Sequence, residues 1–178
     1  MNISYEQARE LIQDGDIISI LRLKTNATIM SNFISWFTQS EIYHTVIAVW
    51  MTSDNGEKRL FVVEADPANR LLVPLSVFQK NGFHVLAKPD YVDFKKISSE
   101  LVGNVGIAKY SITKAVNSGI RQYLKLPKIS NTGEICSELV AKMWKLGGLP
   151  IEDTLLDPAE LERILTTNFK VQYRCKVG

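Results

Sequence analysis

The residues best suited to covalent chemistry at neutral pH are scarce in this chain: two cysteines, Cys136 and Cys175, and two histidines, His44 and His84. Cys136 lies in Gly133-Glu134-Ile135-Cys136-Ser137-Glu138-Leu139-Val140, the first turn of an expected helix that follows a polar loop. Free backbone N–H groups and the helix dipole favour a thiolate there, and the same N–H groups can stabilise an oxyanion. Free cysteine is also among the most buried residue types, so position alone leaves a packing role equally open. His44 opens Tyr43-His44-Thr45-Val46-Ile47-Ala48-Val49-Trp50. An imidazole at the mouth of an apolar strand is placed like a catalytic base, although a single histidine there is more often a satisfied rim residue.

Glu64 lies in Phe61-Val62-Val63-Glu64-Ala65. A carboxylate in an apolar strand needs a partner, because burying it unpaired is costly. If the two strands form a hairpin around Asn55-Gly56, pairing Trp50 with Arg59 sets His44 opposite Ala65. A bulge or a one-residue shift then brings Glu64 to the imidazole, where it can orient the ring and stabilise its charged form. The plainer alternative is a surface carboxylate at a strand end.

The other candidates carry less. His84, in Gly82-Phe83-His84-Val85, reads as a structural or surface residue. Cys175 sits between Arg174 and Lys176, whose charges could lower its pKa, but neither a helix terminus nor a base accompanies it, so it reads as structural. Glu138 and Lys142 are spaced to pair along a helix. Asp14 and Asp16 flank Gly15 and read as turn caps. There is no CxxC or HxxxH spacing, and the expectation is no metal and no cofactor.

The elements that must hold these residues follow from the pattern. Ser4-x-x-Gln7 is a capping box opening a short helix with Ala8, Leu11 and Ile12 on one face. Asp16–Arg22 reads as a strand, Ala27–Phe37 as a helix, Tyr43–Met51 and Leu60–Ala65 as strands joined by the turn Ser53-Asp54-Asn55-Gly56. Leu71–Val73 and Phe83–Ala87 are short strands with a helical turn over Pro74–Lys80 between them. Ile97–Tyr110 and Ile112–Tyr123 read as helices, and Leu126–Thr132 as a loop. Glu134–Leu146 is a helix closed by Gly147-Gly148, and Asp157-Pro158 opens another through Leu165. Phe169–Val177 is a last strand. The expected fold class is α+β, mainly antiparallel, in a single domain over residues 1–178.

Composition narrows the function. With 178 residues, 46% hydrophobic and 22% charged, the chain has the profile of a soluble globular domain. A net charge of +2 without a dense Lys/Arg run argues against a nucleic-acid partner. No apolar run approaches the ~20 residues of a bilayer span. The N-terminus has neither a basic region nor an apolar core of a secretory signal, so the expected compartment is the cytoplasm, unless the chain leaves by a route the sequence does not reveal.

The order Asp14-Gly15-Asp16-Ile17-Ile18, Tyr43-His44-Thr45-Val46-Ile47, Val63-Glu64-Ala65, Lys109-Tyr110-Ser111, Ile135-Cys136-Ser137-Glu138-Leu139-Val140 and Asp157-Pro158-Ala159-Glu160-Leu161 resembles the circularly permuted branch of the NlpC-type papain-like cysteine amidases and peptidases. In that branch histidine precedes cysteine. The resemblance spans about residues 14 to 165 and rests on short pieces whose order and spacing give it weight. It implies a permuted papain-like fold, a nucleophile at Cys136, a base at His44 and an orienting residue at Glu64. It also implies a site tyrosine at Tyr110; Tyr43 and Tyr110 are the candidates for the substrate or oxyanion side. Tyr43 stands where a small serine is common, and Ser111 where aspartate often follows the tyrosine.

The implied activity is cysteine hydrolysis of an amide, in a peptide, an isopeptide or a cell-wall peptide such as peptidoglycan, through a thioester. Two alternatives stand beside it: an acyltransferase or thioesterase on acyl-lipid substrates, and a non-catalytic binding module of the same fold. The oligomeric state is not legible in the sequence.

Overall fold

The computed structural model describes residues 2–22, 41–65, 70–106, 136–152 and 156–178. The expected helices over 27–37 and 112–123, the loop over 126–132 and Tyr110 lie outside the described residues.

The chain begins with β1 (Asn2–Ile3) and α1 (Tyr5–Leu11). Ser4 caps α1 as its sequence requires: its hydroxyl accepts the Gln7 N–H at 3.3 Å while the Gln7 side chain accepts the Ser4 N–H at 3.0 Å. Ala8 and Ile12 are buried, but Leu11, expected on the same face, is largely exposed. The helix stops at Leu11, and Ile12 turns inward in an extended conformation.

Six longer strands follow: β2 (Ile17–Leu21), β3 (Ile42–Thr52), β4 (Lys58–Ala65), β5 (Arg70–Pro74), β6 (Phe83–Leu86) and β7 (Tyr173–Val177). They form one sheet in the order β1-β7-β6-β2-β3-β4-β5. Neighbours are antiparallel except β1, which runs parallel to β7. A 3₁₀ turn (Leu75–Phe78) links β5 towards β6. Three helices complete the described elements: α2 (Phe94–Gly103), α3 (Cys136–Leu146) and α4 (Pro158–Thr167). The class is therefore α+β.

The central strands are apolar on both faces because both faces are covered. Ile17, Ile47, Val49 and Val63 pack with Ile97, Leu101, Leu139, Val140, Trp144, Leu161 and Leu165 from α2, α3 and α4. Ile18, Ile20, Val46, Ala48 and Val62 pack on the other side with Ala8, Ile12, Leu75 and Phe78. Alternate residues of one strand thus enter two different cores. No helix among the described residues is long and apolar enough to cross a membrane.

Four details differ from the sequence expectation. Trp50 pairs with Leu60, not Arg59, which pairs with Met51. The connection runs over five residues, 53–57, closed by Ser53 N–H to Glu57 O at 2.9 Å, with Gly56 at φ +83°. A turn of that odd length shifts the ladder by one residue. Secondly, α2 begins at Phe94 because Asp93 caps it, its carboxylate accepting the Lys95 N–H at 2.9 Å, and the helix ends at Gly103. Thirdly, β7 is confined to Tyr173–Val177, since Lys170 at φ 55° cannot continue a strand. Finally, Asp14 and Asp16 hold distant segments as well as the turn. Asp14 accepts the Trp50 N–H at 2.6 Å, and fully buried Asp16 pairs with Arg174 Nε at 2.6 Å.

Candidate active site

His44 and Glu64 sit just past the last rung of the β3–β4 ladder, Ile47 with Val63. Beyond it the two strands no longer pair, although β3 extends back to Ile42 and β4 on to Ala65. There His44 Nε2 and Glu64 Oε2 approach to 2.6 Å, with each side chain only 14% exposed. The shifted register sets Val46 opposite Glu64 in strict continuation, so the pair meets diagonally across the strand ends. Tyr43 stacks on His44, with ring centroids 6.0 Å apart, and Phe78 lies 6.1 Å from the imidazole.

Cys136 is the first residue of α3 and is buried. Ser137, next to it, donates a hydrogen bond to the Leu156 carbonyl, which fixes the start of the helix against the segment leading into α4. Trp144 Nε1 donates to Gly15 O at 2.9 Å and holds the other end of α3 at the entry to β2. Glu138 and Lys142 pair at 3.3 Å along the helix, as their spacing predicts. Cys136 lies close enough to His44 for each to dominate the favourable electrostatics of the other, while His44 Nε2 faces Glu64.

The electrostatics make one unit of these three residues. Burial alone would lower the His44 pKa. The adjacent Cys136, by charge and hydrogen bond, and then Glu64 outweigh burial and raise it to about 10. Burial would raise the Cys136 thiol, but His44 outweighs it and brings the thiol below its ordinary value, with smaller help from Thr45. His44 and Cys136 thus each favour the charged form of the other. Burial, followed by the charges of Glu64 and Cys136, pushes the Tyr43 phenol up, so it remains protonated.

The remaining candidates fall elsewhere. Cys175 is buried on the opposite side of the sheet from α3, and burial and Asp16 raise its pKa despite Arg174. The flanking basic residues therefore do not bring its pKa below the ordinary value. His84 Nδ1 pairs with Glu162 Oε1 at 2.8 Å, and the Tyr173 hydroxyl donates to the same oxygen at 2.7 Å. Among the described residues, no group of three or more His, Cys, Asp or Glu is arranged to hold a metal ion.

Sequence reasoning missed Thr45, Phe78 and the Glu162 partnership. Phe78 is separated from His44 by most of two strands, and no local pattern links them. Ser19 did leave a signal, as the lone hydroxyl in the otherwise apolar β2, and Thr45 stands directly opposite it beside His44.

No protein-family model matches the chain, and no curated protein matches it.

Proposed function

We propose that this chain is a cysteine hydrolase of permuted papain-like architecture, acting on an amide through a thioester on Cys136. The observation that carries the reading is the 2.6 Å contact of Glu64 with His44, with Cys136 acting on the same ring. The resemblance to the permuted NlpC-type enzymes supplies the same three residues in the same order.

In this mechanism the Cys136 thiolate attacks the amide carbonyl carbon and forms the C–S bond. The carbonyl oxygen becomes an oxyanion, for which the N–H groups of the first turn of α3 are the natural donors. His44 gives its Nδ1 proton to the leaving amine as the C–N bond breaks. The neutral imidazole then takes a proton from water, which attacks the thioester; the carboxylic acid leaves and the thiolate–imidazolium pair is restored. Glu64 holds the ring and balances its charge throughout. The Tyr43 and Phe78 rings flank the imidazole and exclude water from it. Cell-wall peptides are the substrate class to assay first.

The test is the pH dependence of Cys136 alkylation by iodoacetamide in a Cys175→Ser background, with and without His44→Ala. Fast labelling well below pH 8 that disappears in His44→Ala supports the pair. Labelling that follows an ordinary thiol, with a midpoint of about 8.5, and ignores His44 would sink it and favour a binding module.

A further inference from the structure

Backbone hydrogen bonding alternates along an antiparallel strand. The Ala48 N–H and C=O point towards the β2 side, to Asp16 O and Gly15 N, both at 2.9 Å. Three residues earlier, the Thr45 N–H points the other way, towards β4. The β4 ladder has already ended at Ile47 with Val63, so no rung of β4 meets that N–H. Cys136, at the start of α3, belongs to the core on the Ile47 face of the sheet, and the Thr45 backbone acts to lower its pKa.

The Thr45 side chain is 1% exposed, and its hydroxyl also acts to lower the Cys136 pKa. Thr45 Oγ1 has no hydrogen-bond partner at bonding geometry among the described residues. Its nearest cross-strand neighbour on the same face is Ser19, whose hydroxyl faces Glu162 on α4. Ser19 Oγ is likewise without a hydrogen-bond partner among the described residues, but it acts on Glu162 and not on Cys136. A neutral thiol takes little from such a donor, whereas a thiolate gains a charge-assisted hydrogen bond.

We propose that Thr45 is the thiolate-stabilising residue of this site, giving the Cys136 sulfur both a backbone N–H and a hydroxyl donor where the β3–β4 ladder ends. The proposal deepens the cysteine-hydrolase reading and rests on it. The groups facing the sulfur are then His44 and Thr45 from β3, with Glu64 from β4 acting through His44 and the Tyr43 phenol within electrostatic reach.

The experiment is the pH–rate profile of Cys136 alkylation by iodoacetamide, in a Cys175→Ser background, for Thr45→Val, Thr45→Ser, Ser19→Ala and His44→Ala. Thr45→Val removes the hydroxyl at constant shape and should move the inflection up by about one pH unit. Its limiting rate at high pH should be about threefold higher, because a more basic thiolate is the better nucleophile. Thr45→Ser should restore the wild-type profile, and Ser19→Ala should leave it in place. If Thr45→Val does not fold, Thr45→Ala serves for the same comparison. An unmoved inflection in the hydroxyl-free variant overturns the proposal, as does an equal shift in Ser19→Ala, which would signal general repacking. If the wild type titrates like an ordinary thiol and ignores His44, the cysteine-hydrolase reading itself has failed. That result is distinct from an activated, His44-dependent Cys136 that is indifferent to Thr45.

Discussion

Glu64 occupies the Nε2 side of the His44 ring at 2.6 Å, and Cys136 acts on the same ring. Both neighbours favour the imidazolium, but unequally: Cys136 raises the His44 pKa more than Glu64 does. Followed by NMR, the His44 ring should titrate near 10 in the wild type. Cys136→Ser should lower that midpoint more than Glu64→Gln. The reverse order would mean that the carboxylate, not the thiolate, sets the ring's charge.

Glu64→Gln keeps the side chain's shape and an acceptor oxygen but removes its charge. Cys136 labelling at pH 7 should slow by roughly tenfold, the equivalent of one pH unit in the thiol. His44→Ala should cost hydrolysis roughly 10²–10⁴-fold, the usual share of a general acid–base. Steady-state rates of the two variants on one peptide substrate check the ranking.

The pair also makes stability depend on pH in a defined window. His44 has its folded pKa raised, so its contribution is full below about 6.5 and is lost as pH rises through about 10. Cys136 has its folded pKa lowered, so its contribution is present above the ordinary thiol value and is lost as pH falls through the folded value. Between about 8.5 and about 10 the unfolded chain has released the Cys136 proton while the folded chain still holds that of His44. The unfolding free energy should therefore fall by up to about 1.4 kcal/mol per pH unit there. Urea titrations at successive pH values should show this decline in the wild type and not in a His44→Ala, Cys136→Ala double variant.

Asp16 is fully buried and receives Arg174 Nε at 2.6 Å, the Gln13 N–H at 2.8 Å and the Lys88 N–H at 2.9 Å. Arg174→Met should lower stability by about 3 kcal/mol, because it strands a buried carboxylate. A fall in the urea midpoint at unchanged Cys136 reactivity is the expected signature.

Gly15 and Gly56 share φ +83°, but their surroundings differ. A Cβ at Gly15 would lie 2.8 Å from both Lys88 Cδ and Phe94 Cδ2, whereas at Gly56 nothing lies within 4 Å. Each alanine substitution carries about 1–2 kcal/mol of backbone strain. Gly15→Ala should cost about 1–3 kcal/mol more, from overpacking. Thermal unfolding of the two variants side by side isolates that packing cost.

The parts of the fold that were legible in sequence were those written locally. The α1 cap needs only Ser4 and Gln7, and the opening of α4 only Asp157 and Pro158, with Asp157 accepting the Ala159 and Glu160 N–H groups at 2.9 and 3.0 Å. Asp93 was missed as a cap because the apolar run that draws the eye begins later, at Ile97. The sheet order β7-β6-β2 has no local signal, since it depends on pairings such as Ser19 with His84. At the candidate site, the sequence brought His44 and Glu64 together through a one-residue shift that would set them opposite one another; the observed shift runs the other way, and the pair meets diagonally past the end of the ladder. Glu162 reads in sequence as a surface charge on α4. It is buried because His84 and Tyr173, distant along the chain, meet it on the sheet.

The two-residue ladder of β1 with β7, Ile3 beside Val177 and Asn2 beside Lys176, makes the backbone almost a ring. Because the two strands are parallel, a linker of about a dozen residues that loops back across the sheet would be needed to close it, and the exposed turn over 53–57 offers a place to reopen it. The relinked chain would keep every contact of Cys136, His44 and Glu64, yet its synthesis would deliver Glu64 and the cysteine before the histidine. The linear order of these residues is thus a property of where the ring is cut, and the geometry of the sheet is indifferent to it.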